Sequence, residues 1–292
     1  MKNYGRQHFV EIFPNGQNGD FSSVIAPLRF NYSNNNRTFS LMKIVFRFFF
    51  TLYAYITFML LMLIIFFIHV AVVLLVRKNR TEALYKIYRP WARTWAFING
   101  VRLEVKGEEN FEKDKSYVFV LNHGSTADII IAAASMTNRY RPLGKKELTE
   151  IPFMGFMFKR AVVLVDRSDA ESRRQSMERM RAIIKKNISI MIAPEGTRNR
   201  TPAPLQPFKD GAFRLAVEFH LPIVPMVLLN TRKLFPNNSL LLERCELKCH
   251  FLKPVPTDGL TENDIEPLKE KIYKMMEKYV LANNALFNAQ PH

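Results

Sequence analysis

The apolar positions form one long run near the N-terminus and several shorter runs after it. From Ile44 to Val76 nearly every residue is apolar, and after Arg47 no formally charged residue follows until Arg77. A helix that spans the hydrocarbon core of a bilayer needs roughly 20 apolar residues. This run is longer, so it predicts a membrane anchor, built as one long tilted helix or as a helix pair bent within the membrane. His69 lies inside the run and is interpreted as an incidental residue near the helix end.

Beyond residue 100, short apolar stretches alternate with amphipathic ones. The short stretches predict strands at 102–107, 117–123, 161–167, 188–196, 221–229 and 246–255. Apolar positions at helical spacing predict helices at 168–186, 210–220 and 261–280. Ser168 or Asp169 is the predicted N-cap of the first helix. The alternation predicts the α/β class, with a mostly parallel central sheet flanked by helices and preceded by the hydrophobic anchor.

These patterns divide the chain into four regions. Residues 1–40 are rich in Asn, Gly and Ser and predict a disordered tail, or a leader ahead of a start at Met42. Residues 41–100 predict the anchor and a basic, aromatic segment, which suits the membrane interface, packing on the domain as an amphipathic helix, or both. Residues 101–283 predict the α/β domain, and residues 284–292 a C-terminal tail.

The chain is strongly basic, which bears on its partners. Lysine and arginine number 42 against 26 aspartate and glutamate residues, a formal net charge of +16. Such an excess attracts nucleic acid, a membrane surface or a phosphorylated substrate. The basic residues are dispersed and accompany no recognised nucleic-acid motif, so we predict no nucleic-acid partner. Together with the anchor, the charge favours membrane lipids as partners and the cytoplasmic side, where anionic headgroups hold a basic domain.

The sequence contains two cysteines, Cys245 and Cys249. Their spacing puts both on one face of a strand, where a disulfide between them is geometrically poor. Two thiols are also too few ligands for a metal site. We interpret them as reduced structural thiols, which suit a cytoplasmic domain, and predict no metal site.

Polar residues follow three of the predicted strands at their C-terminal ends: Asn122 and His123, Asp166 and Arg167, and Glu195 and Gly196. In open α/β sheets, ligands bind beyond the carboxyl ends of the strands. Three separate parts of the chain are therefore expected to deliver their polar side chains to one rim of the sheet.

His123 is followed five residues later by an acid, Asp128. A carboxylate bonded to one imidazole nitrogen fixes the tautomer and stabilises the imidazolium that forms when the other nitrogen takes a proton. The pair is therefore a candidate general base, and it needs no covalent nucleophile if the attacking hydroxyl belongs to a substrate. Ser125 lies between the two and is the less favoured alternative, a nucleophile of the protein itself.

Two arginines come after predicted strands and could bind an anion at the same rim. Gly196 permits a tight turn that points Arg198 into the rim, and Arg167 ends its own strand. A guanidinium group presents a planar fork of donors that matches a phosphate. The sequence thus predicts a base next to a phosphate-binding cradle.

Four blocks stand out along the α/β region. They read NHGSTAD from residue 122, GKKELTEIPFMG from 144 with VDR from 165, PEGTR from 194 and LPIVPM from 221. In order and spacing they resemble the four blocks of the glycerolipid acyltransferase family. Over roughly 101–255 the chain is most similar to the 1-acylglycerol-3-phosphate (lysophosphatidate) acyltransferases of bacterial inner membranes.

This resemblance implies a reaction and a membrane location. His123 would deprotonate the free sn-2 hydroxyl of lysophosphatidate, which attacks the thioester carbonyl of an acyl-CoA or acyl-carrier protein to form phosphatidate. Asp128 would orient His123, and no covalent acyl-enzyme would form. Arg167 and Arg198 would bind the phosphate of the acceptor. The family's location implies a bacterial inner membrane, with the catalytic domain on the cytoplasmic side.

The remaining positions of the blocks follow from the same resemblance. Lys145 would stabilise the tetrahedral oxyanion, with the neighbouring Lys146 as a competing candidate. Glu195, Gly196 and Thr197 would shape the acceptor pocket. No metal or redox cofactor is implied, since the acyl donor enters as a co-substrate.

Two other functions stay open on the sequence. The acceptor could be another lysolipid, such as a lyso-aminolipid or lysophosphatidylglycerol, because related folds reuse this rim. The chain could also be a catalytically silent lipid-binding homologue. The intact His123 and Asp128 favour an enzyme, since a pure binder needs no general base.

Overall fold

The structure is a computed structural model that describes residues 32–77, 80–166 and 169–283. The chain divides into two units, one up to Val45 and the other from Phe46 onward. Residues 1–31 of the predicted N-terminal tail, the whole predicted C-terminal tail and Arg167 lie outside the described residues. The four predicted regions and their boundaries stay predictions.

The described residues form a sheet of seven strands: β1 Arg102–Lys106, β2 Val118–Leu121, β3 Tyr140–Lys145, β4 Val163–Val165, β5 Ser189–Ile192, β6 Ile223–Leu229 and β7 Glu246–Phe251. The strand order is β1-β7-β6-β2-β5-β3-β4. The five strands from β6 to β4 are parallel, whereas β7 runs antiparallel to β6 and β1 runs parallel to β7. The predicted α/β class with a mostly parallel sheet is confirmed.

Helices pack on both faces of the sheet. They are α1 Tyr32–Leu75, α2 Arg80–Ile98, α3 Asp128–Ser135, α4 Met154–Ala161, α5 Ala170–Ile184, α6 Gly211–Glu218, α7 Thr231–Leu234 and α8 Ile265–Asn283. Short 3₁₀ turns cover Glu108–Asn110, Lys146–Glu150 and Glu262–Asp264. The three helices predicted in the α/β region correspond to α5, α6 and α8. Asp169 caps α5, since its carboxylate accepts hydrogen bonds from the backbone N–H groups of Glu171 and Ser172.

The central strands are buried on both faces, which positions their ends rigidly. Successive side chains of a strand point to opposite faces. Phe119 therefore packs into the core beneath α2 and α3, whereas Val118 and Val120 pack into the core beneath α5, α6 and α8. All residues of β2, β5 and β6 are buried, as expected for parallel strands covered on two sides.

Strand β3 was not among the predicted strands. Its sequence contains Arg141, Pro142 and Gly144, and most of its side chains are only half-buried. The strand forms because it pairs with β5 on one side and β4 on the other. Its extended conformation is decided by these partners, since Pro and Gly have low intrinsic strand propensity.

The predicted anchor forms one continuous helix, α1, rather than a bent pair. Its most apolar window of 18 residues, within Leu41–Leu75, has a mean hydropathy of 3.1, and α1 is the one helix among the described residues long and apolar enough to cross a membrane. From residue 51 onward one side of α1 packs against the α/β domain through Thr51, Ala54, Phe58, Met62, Ile65 and His69. Other positions expose large apolar side chains: Phe48, Leu52, Met59, Leu63 and Phe67.

His69 is an integral part of this packing, which differs from its interpretation as an incidental residue. Its side chain is fully buried, and Nδ1 lies 3.1 Å from the hydroxyl of Tyr88 in α2. Trp95 of α2 donates a further hydrogen bond from its indole N–H to the carbonyl of Ala54, at 3.1 Å. The basic, aromatic segment predicted for the interface is therefore the helix that holds the C-terminal part of α1 against the domain.

Candidate active site

The site begins at the centre of the sheet, where β2 lies between β6 and β5. Asn122 directly follows β2, and its side-chain amide pairs with the backbone of Leu228 in β6, at 2.9 Å and 2.7 Å. Because this amide continues the pairing of β2 with β6, the next residue, His123, leaves the sheet at a well-defined point.

His123 and Asp128 are in direct contact, as predicted. The imidazole Nδ1 lies 2.7 Å from Oδ2 of Asp128, the first residue of α3. The aspartate side chain is 4% exposed and the histidine side chain 31% exposed. The carboxylate oxygen also accepts the backbone N–H of Ser125 at 3.0 Å, which holds it in place. An ionised carboxylate only accepts, so Nδ1 carries the proton and Nε2 is the nitrogen that can take one.

The hydroxyl of Ser125 is used elsewhere. It donates to the carbonyl oxygen of Phe235 at 2.8 Å and accepts from the backbone N–H of Ala127 at 3.2 Å. The side chain is fully buried. These bonds hold the short loop between β2 and α3 closed, and they favour a structural role for Ser125 over that of a nucleophile.

Glu195 follows β5, the strand next to β2, and its side chain holds the start of the loop between β2 and α3. Its carboxylate accepts the backbone N–H of His123 at 2.7 Å and that of Gln206 at 2.9 Å. Burial raises the pKa of this carboxyl above its usual value, and the two backbone hydrogen bonds oppose that rise. Glu195 therefore holds the backbone of His123 in place, and its expected role in shaping the acceptor pocket stays a prediction.

The turn that follows Glu195 brings Arg198 next to the loop between His123 and Asp128. Gly196 has a positive φ of 76°, and a Cβ there would lie 3.0 Å from the side chain of Lys209. Beyond it, the hydroxyl of Thr197 lies 3.3 Å from the side-chain oxygen of Gln206. Arg198 Nη1 donates to the hydroxyl of Thr126 at 2.6 Å, and Thr126 lies between His123 and Asp128 in the chain.

Two of the predicted site residues, Arg167 and Lys145, have no described contact with His123 or Asp128. Arg167 lies outside the described residues; β4, which precedes it, is three strands from β2, roughly 14 Å at the usual strand spacing. Lys145 ends β3, two strands from β2, and its ammonium lies 3.7 Å from the carboxylate of Glu147. The expected roles of both residues stay predictions.

Arg232 was missed by the sequence analysis. It follows β6, the other neighbour of β2, and donates from Nη1 to the carbonyl oxygen of Thr201 at 2.9 Å. Its side chain lies against Gly124, where a Cβ would be 3.1 Å from Nε. Burial lowers the pKa of Arg232, and the nearby carboxylates of Glu195 and Asp128 oppose this shift. Polar residues that follow three of the predicted strands were considered in the sequence analysis. Applying the same criterion to β6 would have identified Arg232.

Arg232, His123 and Glu195 line one small cavity of about 20 Å³. That volume accommodates roughly one water molecule, so the cavity is a polar recess beside His123 rather than a complete substrate pocket. Its lining places a guanidinium group on the β6 side of His123, opposite Arg198 on the β5 side.

No group of three or more metal-ligating side chains occurs among the residues that the structure describes. The thiols of Cys245 and Cys249 are both free. Burial raises the pKa of Cys245 to about 11 and that of Cys249 to about 12. Both are therefore protonated at neutral pH and poor nucleophiles.

Comparison with known proteins shows which family the chain resembles. Residues 102–229 match the sequence model of the family described as Acyltransferase, and this range runs from β1 to the end of β6. Over this range the chain is similar to the acyltransferase family. The chain is 35% identical over 188 residues to an uncharacterized acyltransferase of Schizosaccharomyces pombe, covering 63% of the chain and 65% of that relative. The chain thus spans slightly less than two thirds of that relative's length.

The chain is also similar to a human protein and, in its fold, to a solved structure. It is 29% identical over 201 residues to the 1-acyl-sn-glycerol-3-phosphate acyltransferase alpha of Homo sapiens, covering 68% of this chain and 71% of that protein. Its fold is similar to the crystal structure of the 1-acyl-sn-glycerophosphate acyltransferase PlsC of Thermotoga maritima. The TM-score is 0.68 at 21% identity, over 85% of this chain and 98% of the other.

Proposed function

We propose that this protein moves a fatty acyl group from acyl-CoA or acyl-carrier protein to the sn-2 hydroxyl of lysophosphatidate. The product is phosphatidate, so the enzyme would be a 1-acylglycerol-3-phosphate O-acyltransferase of phospholipid synthesis. The observation that carries the proposal is the His123–Asp128 pair, 2.7 Å apart, with Arg198 bonded to the loop between them. The human relative is named for this acceptor, which supports the choice.

The chemical step needs one base and no covalent enzyme intermediate. Nε2 of His123 takes the hydroxyl proton while the hydroxyl oxygen bonds to the thioester carbonyl carbon. The tetrahedral intermediate then collapses, the carbon–sulfur bond breaks, and the proton passes from the imidazolium to the leaving thiolate. Asp128 supports both transfers, because its buried carboxylate holds the ring and stabilises the transient imidazolium.

The acceptor phosphate would bind on guanidinium groups at the same edge of the sheet as the base. Arg198 is half-buried, and its bond to Thr126 holds it next to the catalytic loop. A phosphate monoester carries up to two negative charges, which a pair of arginines can match. We assign Arg198 to this role together with the predicted Arg167. Glu195 positions the loop, and Gly196 and Thr197 form the turn that presents Arg198.

The oxyanion of the intermediate requires a hydrogen-bond donor on the side of the base where the acyl donor binds. Lys145 keeps this predicted role, because it ends a strand at the same edge of the sheet as His123. Its side chain is more than half exposed, and its ammonium lies near the carboxylate of Glu147. Contact with the intermediate would require the lysine side chain to move away from that carboxylate when substrates bind.

The membrane supplies the lipid acceptor, and α1 provides the attachment. The exposed apolar side chains of α1 would lie in the bilayer. We place the α/β domain on the cytoplasmic side, where anionic headgroups attract a chain with a net charge of +16. The bacterial inner membrane stays the predicted location.

An acyl-transfer assay with the purified full-length protein tests the proposal. Radiolabelled acyl-CoA and acyl-carrier protein are each supplied with lysophosphatidate, a lyso-aminolipid or lysophosphatidylglycerol. We expect phosphatidate from lysophosphatidate with at least one donor. Activity on a different lysolipid alone would overturn the acceptor, and no transfer to any acceptor would favour a silent lipid-binding homologue. His123→Ala should abolish turnover and retain lysophosphatidate binding.

A further inference from the structure

A second cavity lies at the opposite edge of the sheet from His123. Its volume is about 550 Å³, within the usual range for pockets that bind small molecules. The walls come from α2, from the end of α3, and from residues that lead into β2 and β3. Because the parallel strands begin at this edge, none of the candidate catalytic residues lines the cavity.

Asn138 in the wall has a buried acceptor without a partner. Its side-chain N–H₂ donates to the carbonyl oxygens of Glu112 at 3.0 Å and Lys115 at 3.1 Å. Carbonyl oxygens only accept, so these two bonds fix which way the amide faces. The remaining atom, Oδ1, is buried and has no hydrogen-bond partner among the described residues. Buried polar atoms are nearly always paired, so a ligand hydroxyl that reached Oδ1 would complete its hydrogen bonding.

The cavity also presents positive charge that is not neutralised. Lys86 and Arg89 line it but have carboxylate partners of their own. Arg139 and Lys113 line it too, and neither forms an ion pair within the described part of the chain. Asp114 contributes one carboxylate to the same wall, an acceptor for a ligand hydroxyl. A ligand with a phosphate and neighbouring hydroxyl groups matches this mixture of donors and acceptors.

One wall of the cavity is connected to the apolar helix. Tyr88 lines the cavity, and its hydroxyl lies 3.1 Å from Nδ1 of His69 in α1. Immediately before His69 along α1, Phe67 and Ile68 are exposed, Phe67 by 62%. A lipid whose chains rest on this apolar surface would have its headgroup close to the cavity.

We propose that this cavity binds a glycerol phosphate group, presented as the headgroup of a membrane phospholipid, at a site separate from the acceptor site. Arg139 and Lys113 contact the phosphate, while Asn138 Oδ1 and Asp114 accept from the glycerol hydroxyls. Soluble sn-glycerol 3-phosphate carries the same chemistry, so the experiment must separate the two sources.

Native mass spectrometry of the full-length protein in detergent tests the proposal, with phosphatidylglycerol as the lipid probe. The double variant Arg139→Gln, Lys113→Gln should bind at least about tenfold more weakly than the wild type, since it loses both phosphate contacts. The matched control is Lys185→Gln, Lys186→Gln, which removes the same charge from exposed positions after α5 and should bind as the wild type does. Hydrogen exchange should show that residues 133–140 become protected when the lipid binds.

The soluble arm uses sn-glycerol 3-phosphate with the same variants. If it binds with the same dependence on Arg139 and Lys113, the site is supported and its ligand is soluble; if only the lipid binds, the membrane source is supported. Equal binding by the cavity variant and the wild type would overturn the proposal. So would an equal loss in the control variant, which would indicate non-specific charge attraction. The measurement requires no turnover, so it is independent of the acyl-transfer assay.

Discussion

Replacing Asp128 by asparagine perturbs the proposed base most selectively. The carboxylate lies 2.7 Å from His123 Nδ1, is 4% exposed, and accepts a second bond from the backbone of Ser125. Asparagine has nearly the same shape, and its amide oxygen can keep both bonds. The change therefore removes one negative charge and leaves the geometry of the loop almost intact.

The expected loss follows from the charge that develops on the ring. When Nε2 of His123 takes a proton, an imidazolium forms beside the buried carboxylate. For charges about 4 Å apart, at an effective dielectric constant of about 20, their attraction is about 4 kcal/mol. This attraction is absent while the ring is neutral. It therefore lowers the activation barrier of the acyl transfer and leaves substrate binding unchanged. Its loss corresponds to about a 10³-fold lower kcat.

Steady-state acyl transfer in detergent or vesicles measures this effect. For Asp128→Asn we expect kcat to fall by about 10³-fold while KM for lysophosphatidate stays within about threefold, the pattern of a lost transition-state interaction. Asp258→Asn is the matched control, since it removes a carboxylate from an exposed position. A folded Asp128→Asn protein that loses less than tenfold of its kcat would refute the role of Asp128.

Three further substitutions test the neighbouring assignments. Ser125→Ala should keep kcat within about tenfold, because its hydroxyl bonds only to loop backbone among the described residues; a loss as large as that of Asp128→Asn would restore the serine as a nucleophile. Arg198→Ala should lower kcat/KM for lysophosphatidate by about 10- to 100-fold, mainly through KM, whereas the exposed Arg179→Ala should not; equal effects would remove Arg198 from the phosphate site. Glu195→Gln should lower stability by about 1–3 kcal/mol, because one buried oxygen becomes an N–H₂ group facing a backbone N–H. Thermal unfolding checks this against Glu262→Gln at an exposed site, and an unchanged Tm would contradict the bracing role.

The elements that could be predicted are those whose signal is local. Apart from Ser189 in β5, strands β2, β5 and β6 are apolar, as expected for strands covered on both faces, and α5 has an apolar stripe and an Asp169 cap. Strand β3 was missed because Arg141, Pro142 and Gly144 carry no such pattern. Pairing with β4 and β5 makes it a strand, and a partner far along the chain leaves no local signal.

The candidate site shows the same division. His123 and Asp128 are five residues apart, so a short loop can bring them together whatever the rest of the chain does. The bond between Arg198 and Thr126 joins residues 72 positions apart, and the sequence could predict only that both lie at one rim. The supporting role of Glu195, and the presence of Arg232, depend on which strands neighbour β2.

The sequence by itself determined the residue types available for the chemistry, the strand ends that carry them and the length of the apolar helix, because these follow from local periodicity and from the order of short blocks. Only the tertiary structure decided that β2 lies between β6 and β5, that one side of α1 packs against the domain through His69, and that a second polar cavity opens beside Asn138. The physical reason is that lateral strand order and helix packing are set by contacts between distant residues. The energies of those contacts depend on the whole buried core and not on any single segment.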